Sequence, residues 1–464
     1  MTERKGEPAA MWGLVLRMDS WSSRVIGALV ALWVMASPAV AQQQRISFIR
    51  DAEIENTIRA YAAPLFAAAG LDPSSMGVHL VNDRTLNAFV ANGLNLYMNT
   101  GLLIRAKDAG QVIGVIAHET GHISGGHLAR MRDGMEGAMA EAIVAMVLGA
   151  AAGVASGDAG AGMAVITGGL QVAERGMLRY SREMESSADQ AGVNLLERTG
   201  QSAKGMMEFL SILADQELAS TSRQDPYVRT HPITRERVEF VRNFVSNSRF
   251  SNAPVPAHLE ELHRRMRAKL QGYLEPARAL TLYKENDPSL EARYARAIAY
   301  SRRPDYARAA AVMDELLRDY PNDAYFIEAK AQMLFESGKV AESVPFYART
   351  VALLPNEPLL RTAFAHAQME SGKPELLAEA IANLERSKQQ DPRYSETWRL
   401  LSVAYGRNNQ IGMAQLAQAE LLVLRGRKGE ARAFAERAQR GLPPNSPAWQ
   451  RAEDIKNTND PKKN

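Results

Sequence analysis

The sequence predicts a mainly α-helical chain in which an α+β domain with a small β-sheet precedes a C-terminal α-solenoid. Three observations carry that expectation. Apolar residues recur at helical spacing over most of residues 50–245, with short β-like runs only near 77–98. The stretch 246–256 is polar and broken by Pro254 and Pro256, which marks a domain boundary. Beyond it Pro321 and Pro355 stand 34 residues apart, and so do the quartets starting at Glu336 and Glu370, each Glu-Ser-Gly-Lys. At 464 residues the chain is also too long for one ordinary core. The expected division is a leader over 1–41, a first domain over 42–250, a repeat domain over 256–455 and a disordered tail over 456–464.

Taken in order, Ile54, Ile58, Tyr61 and Leu65 lie on one face of a helix spanning about 50–69. Residues 77–81 read as a strand. Residues 88–90 and 94–98 read as two strands joined around Asn92-Gly93, a hairpin signal. A helix is expected from about Asp108 to Arg130. The Ala-, Gly-, Met- and Val-rich stretch 135–170 reads as two helical halves around a Gly-rich turn at 156–160. They either pack in the domain core or form a hairpin over the active site or against a membrane surface. Further helices are expected over 176–199, 203–220 and 233–245. In the repeats, Ala297, Ala331, Ala348, Ala365 and Ala404 fall where paired helices approach closely. Trp398, Leu401 and Tyr405 fit the first-helix pattern of a tetratricopeptide repeat. Pro345 falls inside a second helix, where a kink is expected.

Composition narrows the chemistry. The 55 basic and 52 acidic residues leave a net charge of +3, not the basic footprint of a nucleic-acid-binding protein. There is no cysteine, so any metal must be held by His, Asp or Glu. Arg24, the apolar run 25–36 and the small residues Ala39-Val40-Ala41 make a cleavable export signal, with Gln42 as the expected mature N-terminus and Met18 as an alternative start.

His118-Glu119-Thr120-Gly121-His122 is an H-E-x-x-H motif. Four residues apart on a helix, both imidazoles reach one ion, while Glu119 points to an adjacent angle suited to a general base. Gly121 costs such a helix about 1 kcal/mol relative to Ala, which argues for close backbone packing there. A catalytic zinc needs a third protein ligand. His127 stands one residue short of the H-x-x-G-x-x-H spacing and reads as structural. Downstream, Glu183 and Glu185 compete for the role on spacing alone, with Asp189 placed to accept the free N–H of a ligand imidazole.

The set H-E-T-G-H, then Ser181-Arg182 with Glu185, Ala188 and Asp189, then Thr230-His231-Pro232, resembles the zinc metallopeptidase family of the heat-shock protease HtpX and the prenyl-protein endoprotease. That resemblance implies a gluzincin-type domain with one Zn2+ per chain. It makes Glu185 the third ligand, and it places His231 near the metal, where it stabilises the oxyanion or fills the open position and restrains activity. Arg237 is expected to support the same pocket, and the strand carrying Asn87, Ala88 and Phe89 to hold substrate in extended form. With the leader and the repeats, it implies a periplasmic endopeptidase in outer-membrane protein assembly and quality control. Its partners would be unfolded or misassembled envelope proteins and, through the repeats, an outer-membrane assembly machinery. Nucleic acid is not among them. The alternative is an adaptor or chaperone with little proteolysis.

Overall fold

The computed structural model describes residues 47–156, 159–217 and 226–458. The expected leader, the centre of the Gly-rich turn and residues 459–464 of the tail lie outside the described residues. Residues Ser47–Asn464 cluster as one compact unit.

The first domain begins with strand β1 (Phe48–Ile49) and helix α1 (Ala52–Ala68), capped by Asp51, whose side chain accepts from the backbone N–H of Ile54. The predicted apolar face of α1 is buried: Ile54, Ile58, Tyr61 and Leu65 all lie in the core. Strands β2 (Gly77–Val81), β3 (Ala88–Ala91) and β4 (Asn95–Asn99) follow, in the sheet order β1-β2-β4-β3. The β3–β4 hairpin turns through Asn92 (φ 51°) and Gly93 (φ 87°), as that pair predicts. Strand β2 pairs with β4 in parallel, leaving β3 at the sheet edge and packed near the next long helix.

A short helix α2 (Thr100–Arg105) leads into α3 (Ala109–Ser124), capped by Asp108. The helix expected to reach Arg130 stops earlier. Gly125 and Gly126 break it, with Gly126 at φ 65°, a conformation that side chains disfavour. Helix α4 (His127–Ser156) then runs out and α5 (Ala159–Arg198) returns, packed on α4. The 40 residues of α5 unite the second apolar half and the separately expected 176–199 helix. The core reading of 135–170 fails: Met139, Ile143, Val144, Val147, Leu148, Met163, Leu170 and Val172 are exposed, while Ala145 and Ala173 are buried. Helices α6 (Lys204–Glu217), α7 (Pro226–Thr230) and α8 (Arg235–Asn247) complete this part.

Helix α9 (Ala257–Leu274) follows the proline-broken stretch, yet it buries Met266 and Leu270 in the first domain's core. After α10 (Pro276–Leu282) come five helix pairs. These are α11 (Leu290–Arg302) with α12 (Tyr306–Asp319), α13 (Ala324–Glu336) with α14 (Val340–Leu353), and α15 (Pro358–Glu370) with α16 (Leu377–Gln390). Then come α17 (Ser395–Arg407) with α18 (Ile411–Leu424), and α19 (Lys428–Gly441) with α20 (Pro447–Asn457). This is a tetratricopeptide-type solenoid. A 3₁₀ turn at Pro374–Leu376 lengthens the connection between α15 and α16, which accounts for the wider Pro355-to-Pro392 spacing. Ala297, Ala331, Ala365 and Ala404 are fully buried between helices. Ala348 is the exception: it is exposed, and Tyr347 and Thr350 face inward instead. Pro345 lies inside α14.

The solenoid is joined to the first domain by buried charge. Glu53 of α1 accepts from Arg265 of α9 at 3.0 Å and from the Tyr294 hydroxyl at 2.6 Å. Arg265 in turn forks onto Asp323 at 2.6 and 3.0 Å. Arg50 pairs with Glu55 at 2.7 Å and with Asp391 at 2.9 Å, two repeats beyond Asp323. Arg265→Met removes the guanidinium shared by Glu53 and Asp323, although Glu53 keeps Tyr294 and Lys269 and Asp323 keeps the backbone N–H groups of Tyr325 and Phe326. It is expected to cost about 1.5–3 kcal/mol, measured by urea unfolding, and a loss under about 0.5 kcal/mol would show that the bridge carries little.

Candidate metal centre

Helix α3 positions His118, Glu119 and His122, and α5 lies across it so closely that only glycine fits at 121. A Cβ there would sit 2.5 Å from the carbonyl oxygen of Ala188. The close packing inferred from the sequence is therefore present, and it sets Glu185 and Asp189, one turn apart on α5, against the two imidazoles.

The donor atoms converge. The Nε2 atoms of His118 and His122 are 3.1 Å apart. Glu185 puts Oε2 at 3.3 Å from the first and Oε1 at 3.3 Å from the second. His231, following α7, brings Nδ1 to 3.1 Å from Glu185 Oε1 and 3.5 Å from His118 Nε2. One donor atom from each of these four buried residues lies within 4.8 Å of the others. Three imidazoles and a carboxylate gathered this closely suit a borderline divalent cation such as zinc, in a chain without thiols.

Around this set lies a supporting layer. Asp189 Oδ1 is 2.8 Å from His118 Nδ1, so that nitrogen carries the proton and Nε2 faces the cluster. Arg237 holds Asp189 with a fork of 2.6 and 2.9 Å, reaches Glu185 at 3.0 Å and donates to the Pro232 carbonyl at 2.7 Å. Burial pushes the Asp189 carboxyl up, but hydrogen bonds from Arg237 and His118 outweigh it and hold the group below its ordinary value. Glu185 is likewise held well below the usual carboxylate range: burial opposes ionisation, and His231, His118 and His122 overcome it. Glu119 differs. Burial raises its pKa, and both its oxygens are buried without a protein hydrogen-bond donor. A carboxylate so placed is free to meet a water or a substrate proton.

The structure thus gathers His118, Glu119, His122, Glu185, Asp189, His231 and Arg237 in one place. It separates the two glutamates left equal by spacing: Glu185 is buried in the cluster and Glu183 is exposed. His127, read as structural, is buried with Nδ1 2.9 Å from Nδ1 of His122. Tyr227 escaped the sequence reading. It is buried and stacks on His231 with centroids 4.4 Å apart, and its backbone carbonyl accepts from the His231 N–H. Its four-residue spacing from His231 was the available signal.

Residues 49–245 match the family described as peptidase family M48. Over those residues the chain carries an M48-type peptidase domain. The M48 domain makes it a metalloendopeptidase, with the buried His, His, Glu and His group as its candidate metal site. Similarity extends past the M48 domain into the repeats. The beta-barrel assembly-enhancing protease of Escherichia coli (strain K12) is 26% identical over 408 residues, covering 82% of this chain and 78% of that protein. That of Yersinia pestis is 26% identical over 398 residues, covering 84% and 80%. Metalloprotease YcaL of E. coli matches at 30% over 181 residues, covering 38% of this chain and 64% of that protein.

Because Asp189 is held below its ordinary pKa, its contribution to stability is complete above the unfolded value and is lost as pH falls through the folded one. The stability gap between the wild type and Asp189→Asn, from urea unfolding of the metal-free chain, is therefore expected to narrow below about pH 4. A gap that widens with acid would contradict the assignment.

Proposed function

We propose that the M48 domain is a zinc endopeptidase of the bacterial periplasm that degrades unfolded or misassembled envelope proteins during outer-membrane protein assembly. The observation that carries the reading is the buried convergence of His118, His122 and Glu185, with Glu119, whose oxygens accept no hydrogen bond from the protein, beside it. The leader read in residues 1–41 supports the compartment. The relatives named as β-barrel assembly-enhancing proteases, similar across both M48 domain and repeats, support the substrate class.

His118, His122 and Glu185 would hold the ion, which when bound would supply Lewis acidity to the scissile carbonyl and to a water. Glu119 takes the proton of the attacking water and passes it to the leaving amine; its oxygens, which accept no hydrogen bond from the protein, are open to that proton. Asp189 fixes the tautomer of His118, and Arg237 fixes Asp189. Strand β3, at the sheet edge beside α3, offers backbone groups to an extended substrate. The exposed apolar flanks of α4 and α5 support contact of 135–170 with a membrane surface.

His231 is the latch of this reading. As a fourth protein donor it takes the position a substrate needs, and Tyr227 stacks behind it. The same observation favours a second reading, an adaptor in which repeats bind client and machinery while proteolysis stays low.

Glu119→Gln is expected to keep its metal and lose cleavage of an unfolded protein by about 10²–10⁴-fold; retained cleavage would remove Glu119 from its role. In cells, normal outer-membrane assembly with Glu119→Gln would favour the adaptor. His231→Ala is expected to keep metal on three ligands and cleave faster than wild type in the same assay. An unchanged or lower rate would dismiss the latch.

A further inference from the structure

We propose that His127 is the positioning residue for His122, a hydrogen-bond acceptor that fixes the second metal imidazole as Asp189 fixes the first. The inference rests on the metal-centre reading above. His122 turns Nε2 toward His118 and Glu185, at 3.1 and 3.3 Å. Its lone pair for an ion is therefore on Nε2, and Nδ1 carries the hydrogen. That N–H points at Nδ1 of His127, 2.9 Å away, with both side chains buried. For His127 to accept there, its own proton sits on Nε2, which is buried without a hydrogen-bond partner, so the contact to His122 is the only hydrogen bond that the His127 ring makes within the described protein.

The backbone is built for this contact. Gly125 and Gly126 end α3 one turn after His122, and the positive φ of Gly126 turns the chain so that His127, the first residue of α4, folds back beneath the ligand. The His127 ring lies flat against Gly125. A Cβ at that position would stand 2.4 Å from Nε2, 2.8 Å from Cδ2 and 2.9 Å from Cε1. The ring planes of His122 and His127 cross at 80°, with centroids 5.0 Å apart, so the contact is an edge-on hydrogen bond, not a stack.

The two ligand imidazoles are thus supported unequally. His118 faces an anion locked by Arg237; His122 faces a neutral ring. A second carboxylate in place of His127 would add a negative charge to a cluster that already holds Glu119, Glu185 and Asp189 against one arginine. The neutral acceptor orients His122 without adding that charge.

Zn2+ affinity of the full chain, measured by competition with a chromophoric chelator, tests the assignment. His127→Leu fills the space without accepting a hydrogen bond, whereas His127→Asn restores an acceptor. His127→Leu is expected to bind Zn2+ about 10–100-fold more weakly than wild type, and His127→Asn to recover most of that loss. Gly125→Ala, which touches no ligand, is expected to weaken binding by displacing the ring. The Co2+ ligand-field spectrum of His127→Leu should shift from wild type, and that of His127→Asn should return toward it. Equal affinity in His127→Leu and His127→Asn, at any level, overturns the proposal. A wild-type chain that binds no metal overturns the metallopeptidase reading instead, so the two failures are distinct.

Discussion

The contact of α3 with α5 at Gly121 and Ala188 is the constraint on which the chemistry depends. A metal centre built from two helices needs their axes close enough for a glutamate of one to reach between two histidines of the other. Any side chain at 121 would force the helices apart and pull Glu185 from the imidazoles. The arrangement is also electrostatically demanding, because Glu119, Glu185 and Asp189 crowd into a dry site. Arg237, itself buried, relieves this by touching two of the three. The third, Glu119, keeps its oxygens free and bears the cost of burial as a raised pKa. In the proposed mechanism that division separates the residues that hold the ion from the one that reacts.

Helix α1 joins the M48 domain to the solenoid. Its apolar face lies in the first domain's core, and its polar N-terminal turn reaches Arg265 and Tyr294 through Glu53, Glu357 through Asn56, and Asp391 by way of Arg50, which Glu55 holds. A short linker alone would leave the repeats free to swing. Instead a network of buried ions sets them at fixed positions relative to the metal centre, and buried ions tolerate little loss of geometry. The hairpin of α4 and α5 makes the opposite kind of connection. It starts immediately beyond His122 on one arm and ends at Glu185 on the other, so its exposed apolar surface is continuous with the two helices that carry ligands.

Much of this was legible in the residues. The H-E-x-x-H pair, the apolar face of α1, the Asn92-Gly93 turn and the 34-residue recurrence each express a local rule, in which spacing along the chain fixes direction in space. Expectations failed where the outcome depended on contacts distant in sequence. The boundary at 246–256 is a real break in pattern, yet α9 beyond it returns to the first core, since only the folded chain presents the surface that buries Met266 and Leu270. Ala348 occupies a plausible small-residue position but faces solvent, because Tyr347 next to it takes the inward direction on α14.

By itself the sequence determined the ligand types, the helix that pairs His118 with His122, the absence of thiol chemistry and the repeat character of the C-terminal half. Spacing left Glu183 and Glu185 equal, and the family resemblance alone pointed to Glu185 and His231; tertiary structure brought both into the cluster, stacked Tyr227 behind His231 and turned His127 back onto His122. The physical reason is one of range. Helical periodicity sets the angle of a side chain about its own axis, whereas the meeting of donors from α3, α5 and the segment after α7 depends on how closely those elements pack, and that was settled by a glycine and an arginine far from one another in the chain.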